Sequence, residues 1–152
     1  MIKPVHIRSA VLHDAEQLLA IRWNAIMSLA DDFGYAATHR WAKSAKPDRA
    51  TRAITQNSVW VVEVASSVMG WVEVKEDRIM GLYVDSSVFG SGIGSSLMAF
   101  AETEIQRTGR SSAHLDASPN AVSFYSRLGY VVLGNPNPDS SIPMVKYFGS
   151  DA

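Results

Sequence analysis

Three β-patterned runs stand almost end to end in the middle of the chain: SVWVVEVA from Ser58, SVMGWVEVK from Ser67 and RIMGLYVD from Arg78. Valine and aromatic residues dominate them, and the alternation has the two-residue period of a strand. The spacers Ser66-Ser67, whose second serine also opens the next run, and Glu76-Asp77 leave room for hairpin turns and little else. The three runs therefore predict an antiparallel meander.

The flanking patterns differ. VHIRSAV near the start alternates and reads as a first strand. HDAEQLLAIRWNAIMSLA carries Leu18, Ile21, Ala25 and Leu29 at helical spacing, with Asp14 and Gln17 placed as an N-cap and its reciprocal partner. DDFGYAATHRW reads as loop with a short helix from Thr38, and DRATRAITQN after Pro47 as another helix. Beyond the meander, Leu97, Ala101 and Ile105 share a helical face that Gly109 stops. SSAHLDA is strand-like. Ser118-Pro119 then opens a helix that runs to Leu128, with Gly129 as its C-cap. YVVLG and IPMVKYF are the last strands. The order βα(α)βββαβαββ predicts an α+β, mixed α/β domain spanning residues 1–152.

Composition narrows the function. The 152 residues are 47% hydrophobic and 19% charged, a globular balance. The net charge of −1 predicts neither a nucleic-acid nor an anionic-membrane partner. The chain has no cysteine, which excludes disulfides, a thiol nucleophile and thiolate-bound metal and fits a cytoplasmic location. MIKPVHIRSAVLHDAEQ loses its apolar character too early for a signal peptide. No apolar run approaches the ~20 residues of a membrane span. No His/Asp/Glu set has ligand spacing, so no metal is expected.

The chemistry concentrates where the third β run hands over to a helix. In YVDSSVFGSGIGSSLMAF, glycines alternate at Gly90, Gly92 and Gly94. A glycine turn lets backbone approach a ligand without Cβ atoms in the way. The free N–H groups of the helix's first turn, aided by its dipole, favour an anion there. The reading is a phosphate or pyrophosphate cradle; the plain alternative is a turn serving only tight packing. No lysine or arginine lies between Arg78 and Arg107, so amides and the hydroxyls of Ser91, Ser95 and Ser96 would do the holding, and this is not a P-loop. A dinucleotide fingerprint would put the glycines directly after the strand, yet DSSVF intervenes, and too little chain follows for further βαβ units.

About 20 residues downstream lies LDASPNAVSFYSRLGYVV. Leu82-Tyr83-Val84, Gly92-Ile93-Gly94, and Ala121 through Phe124-Tyr125 to Gly129-Tyr130 together resemble the GNAT superfamily of acyl-CoA-dependent N-acyltransferases. The resemblance implies a mostly antiparallel mixed sheet of six to seven strands flanked by helices. It implies acetyl-CoA as cosubstrate, bound through Leu82, Tyr83 and Val84 on the strand and Gly90, Ser91, Gly92, Ile93, Gly94 and Ser95 on the turn. Ser118, Asn120 and Tyr125 complete that set. Tyr125 would be the general acid for the departing thiolate, a role that suits a neutral phenol.

Two positions depart from the family pattern. Phe89 stands where Gln or Arg usually opens the loop, and Ser118 replaces an asparagine. The usual strand carboxylate near Met80 is also missing. Glu73 is the first candidate for the base, ahead of Asp116 and His39, while His114 reads as structural. Trp23, Tyr35, His39 and Trp41, near Arg22, are candidates for framing a small-molecule or peptide amine. The family fold often pairs through edge strands, which points to a homodimer. The expected function is acetyl transfer from acetyl-CoA to a primary amine in a ternary complex. The alternative is a non-catalytic acyl-CoA-binding or interaction module on the same fold.

Overall fold

The computed structural model describes residues 5–149. Among them lie seven strands and six α-helices. The strands are β1 (Val5–Ser9), β2 (Ser58–Val64), β3 (Ser67–Lys75), β4 (Arg78–Val84), β5 (Ser112–Ala117), β6 (Val131–Val132) and β7 (Ile142–Tyr147). The helices are α1 (Ala15–Met27), α2 (Ala30–Phe33), α3 (Tyr35–Lys43), α4 (Arg49–Gln56), α5 (Ile93–Arg107) and α6 (Val122–Arg127). Hydrogen bonding orders the sheet β1-β2-β3-β4-β5-β7-β6, so the three central runs are neighbours as their spacing requires. The chain forms two compact units. One runs through Glu73 and adds Gly81–Met98; the other takes Val74–Met80 and the chain from Ala99 onward.

In the first unit, β1 lies antiparallel to β2, in register from Val5↔Val64 to Ser9↔Trp60. The β2–β3 turn places Ala65 and Ser66 at φ 50° and 72°. Two positive φ values in succession match the right-handed twist of a tight hairpin. Leu18 and Ile21 of α1, Ala50 and Ala53 of α4, Val59 and Val61 of β2 and Trp71 of β3 make one buried cluster. Trp71 satisfies its indole by donating to the Leu18 carbonyl at 3.0 Å, so its large ring is buried without an orphaned N–H.

The second unit is built on β5 and β7, antiparallel from Ser112↔Tyr147 to Ala117↔Ile142, with β6 on the far side of β7. β4 joins β5 in parallel at Arg78↔His114. Gly109 and Gly129 sit at φ 90° and 99°, as helix stops need.

Several local expectations are corrected. Asp14 does not cap α1 with Gln17. Its carboxylate accepts from the Val11 amide at 2.8 Å and pairs with Arg8 at 2.8 and 3.0 Å, because a guanidinium from β1 outcompetes a neutral amide. Its acidity is accordingly strengthened, first by Arg8. The segment read as loop before Thr38 is helical, as α2 and the first turn of α3. Arg22 accounts for that order: it is buried and donates to the Ala42 carbonyl at 2.9 Å and to Trp41 and Ser44 at the end of α3. A cation at a helix C-terminus satisfies carbonyls that otherwise have no partner. Ser118 makes no side-chain cap bond, and Pro119–Ala121 is a 3₁₀ turn leading into a shorter α6.

Candidate active site

Each unit carries part of the expected set. In the first, β4 delivers Leu82, Tyr83 and Val84, all half-buried. Asp85 then ends the strand. Its amide donates to the Met69 carbonyl at 2.8 Å, and its carboxylate accepts from the Ser87 amide at 3.0 Å, folding Ser86–Val88 into a 3₁₀ turn. The Ser86 amide is held by the Asn24 side-chain carbonyl at 2.8 Å. Asn24 anchors the loop from α1, a role that sequence reading missed, since an asparagine inside a helix carries no local signal.

After this turn come the glycines. Gly90 and Gly92 adopt φ 78° and 86°, conformations that cost other residues steric strain, and a Cβ on either would meet nothing within 4 Å. The space in front of the turn is open, and Phe89, Gly90, Ser91 and Gly92 are exposed. α5 begins at Ile93, so the amides of its first turn have no intrahelical acceptor. Two of the hydroxyls expected to help are committed elsewhere: Ser91 donates to the Val88 carbonyl and Ser96 to the Gly92 carbonyl. An anion here would rest chiefly on amides.

Trp23, Tyr35 and His39 come together. His39 stacks on Tyr35 with centroids 5.4 Å apart at 16°, and meets Trp23 edge-on at 5.5 Å and 87°. Trp41 lies on the same helix, exposed. The Arg22 guanidinium sits 5.8 Å from the Tyr83 ring centroid, and Tyr83 packs on Trp71 at 4.9 Å. Glu73 is 3% exposed. One of its oxygens is 2.7 Å from Arg49 and the other accepts from Asn57 at 2.6 Å.

In the second unit, Tyr125 projects from α6, half-buried. Its ring meets Phe124 at 5.1 Å and Tyr130 at 5.9 Å, both edge-on. Its carbonyl accepts from the Leu128 and Tyr130 amides at 3.0 and 3.1 Å. Ser118 accepts from Ala121 through its carbonyl, and Asn120 is exposed. Asp116 pairs with Arg78 at 3.2 Å and accepts from Asn137 at 3.0 Å. His114 lies 3.8 Å from Asp77 and 3.3 Å from the Ser112 hydroxyl. Among the described residues, no group of three or more His, Asp or Glu side chains could hold a metal ion, and no helix is long and apolar enough to cross a membrane.

Solved structures share this architecture. A GCN5-related N-acetyltransferase from Rhodopseudomonas palustris aligns with TM-score 0.88 and 22% identity over 97% of this chain and 99% of its own. PaiA N-acetyltransferase from Thermoplasma acidophilum, solved in complex with coenzyme A, aligns with TM-score 0.79 and 16% identity over 95% and 99%. Ard1 from Thermoplasma volcanium gives TM-score 0.66 and 23% identity over 96% and 99%. No curated protein matches the sequence. At these identities the structures speak for the fold. The sequence itself matches the family described as acetyltransferase (GNAT) domain over residues 29–148, from just before α2 through β7. The chain therefore belongs to the GNAT acetyltransferase family and is an acyltransferase.

Proposed function

We propose that the protein transfers the acetyl group of acetyl-CoA to a primary amine by direct attack. The observation that carries this reading is the open glycine turn at the head of α5, with Gly90 and Gly92 at positive φ and nothing in front of them. Amides from Gly90 to Ser95 take the pyrophosphate, and Leu82, Tyr83 and Val84 offer backbone to the pantetheine arm. The chain has no cysteine to carry an acyl group, so the amine attacks the thioester itself. A C–N bond forms, the C–S bond breaks, and Tyr125 donates its proton to the leaving thiolate. Ser118 and Asn120 belong to the same cofactor set.

Trp23, Tyr35 and His39, with Trp41 beside them on α3, frame the amine. Glu73 receives the amine's proton. Because Arg49 and Asn57 already hold its two oxygens, it does so by yielding one of those contacts.

Calorimetric titration of wild type and Tyr125→Phe with acetyl-CoA, beside an amine screen for released thiol, tests the reading. Both proteins should bind acetyl-CoA with micromolar affinity and neither should bind NAD. Turnover should fall about 100-fold or more in the variant, the usual weight of a general acid. No binding at millimolar acetyl-CoA, or full turnover in Tyr125→Phe, would sink it.

A further inference from the structure

The buried face of α5 carries an anomaly. Met98, Ala101 and Ile105 are core residues, and Glu102, at the same helical spacing, is only 7% exposed. A carboxylate on an apolar face needs partners. Two residues from elsewhere in the second unit supply them. Lys146 of β7 donates to one oxygen at 2.7 Å, and the Tyr130 hydroxyl donates to the other at 2.9 Å. The Lys146 ammonium also lies 5.9 Å from the Tyr130 ring centroid. Gly129 leaves room for the lysine, since a Cβ there would stand 3.3 Å from its Cε.

Tyr130 is also the residue against Tyr125. Their rings meet edge-on at 5.9 Å, and the Tyr130 amide donates to the Tyr125 carbonyl at 3.1 Å. Among the described residues, Glu102 on α5, Lys146 on β7 and Tyr125 on α6 are charged or titratable groups in contact with Tyr130. Burial first, and Glu102 second, hold the Tyr130 phenol well above the ordinary range, so it stays a hydrogen-bond donor at any working pH. A buried ion pair is a weak source of stability compared with an apolar replacement of the same shape. Its field on a neighbouring phenol is a stronger use for it.

We infer that Glu102, Lys146 and Tyr130 are positioning residues that orient the Tyr125 ring and set the ionisation of its hydroxyl. The inference rests on the reading of Tyr125 as the acid. Glu102 favours the neutral, proton-bearing phenol, and Lys146 offsets it. The two charges therefore act on Tyr125 in opposite senses, whereas a purely structural pair would give the same damage whichever partner was lost.

That opposition is the test. Carbon-13 labelling of the five tyrosine ring carbons bearing oxygen gives few signals, and Tyr125 is assigned by its loss in Tyr125→Phe. Titration then reads its midpoint directly, with no acceptor needed. Lys146→Met leaves Glu102 unopposed and should raise the midpoint by about half a pH unit, whereas Glu102→Gln removes the carboxylate and should not raise it.

A midpoint that falls or stays in Lys146→Met, or one that rises in Glu102→Gln, overturns the inference. Lys146 is partly exposed and its variant is the gentler of the two. If Glu102→Gln does not fold, Lys146→Met decides alone: a rise supports the inference, and no change or a fall overturns it. Because this readout is independent of turnover, its failure is distinct from a failure of Tyr125→Phe to lose activity.

Discussion

Single carboxylates in this protein take their roles from what reaches them. Asp14 is buried at the head of α1 with Arg8 and the Val11 amide on its oxygens. Arg8 depresses its pKa below the ordinary carboxylate value. Its contribution to stability is therefore present above the unfolded-state pKa of about 3.9 and is lost as pH falls through the lower folded one. Asp14→Asn should be less stable than wild type by about 1–3 kcal/mol at pH 7. In urea denaturation the gap should hold to about pH 4 and then narrow as the pH falls further. Glu73 sits in a similar grip from Arg49 and Asn57. If it takes the amine's proton, Glu73→Gln lowers kcat with little change in KM for acetyl-CoA. An unchanged kcat with a lower melting temperature would instead assign Glu73 to holding Arg49 over the Trp71 ring, 5.7 Å away.

Among the elements, the join of β4 and α5 is where the proposed cofactor site concentrates. Three separate anchors hold it: Met69 and Asn24 on the amides of Asp85 and Ser86, and the Asp85 carboxylate on Ser87. The glycines beyond these anchors are the part left open. Gly92→Ala has space for its methyl, so its cost is the backbone at φ 86°, roughly 1 kcal/mol of stability. The same methyl enters the space proposed for the pyrophosphate, and acetyl-CoA should bind about tenfold more weakly, a loss of ~1.4 kcal/mol. Melting curves give the first quantity and calorimetry the second. A variant that loses stability but keeps full affinity would remove this turn from the binding site. α3 illustrates the opposite case, an element whose own sequence is equivocal and whose last turn is held by Arg22 from α1.

At the scale of the whole molecule, the family assignment predicts a linkage between ligand and fold. A ligand bound only by the native state, at 100 times its Kd, adds about 2.7 kcal/mol. For a chain of 152 residues that should raise Tm by roughly 5–10 °C. Scanning calorimetry with acetyl-CoA should show the rise, and NAD at the same concentration should leave Tm where it was. A rise with NAD and none with acetyl-CoA would favour the dinucleotide reading that the sequence weighed and set aside.

The amino-acid sequence by itself determined what depends on near neighbours. The two-residue alternation and short spacers made β2, β3 and β4 legible, because the period of a strand is written residue by residue. The glycine turn, the start of α5 and the stops at Gly109 and Gly129 were legible for the same reason: each needs a backbone angle that few residues adopt. Only the tertiary structure decided the partners of the charges. Arg8 and Glu63 are 55 residues apart, Glu102 and Lys146 44, and Asn57 and Glu73 16. Glu102 reads in the sequence as one more charged helix residue, and Asp14 as an N-cap. What they do is settled by which distant side chain the fold sets against them, and no local period records that. The Tyr35–His39–Trp23 group lies between the two cases. Tyr35 and His39 are four residues apart and face each other by helical geometry, but Trp23 joins them from α1 only once α1 and α3 pack.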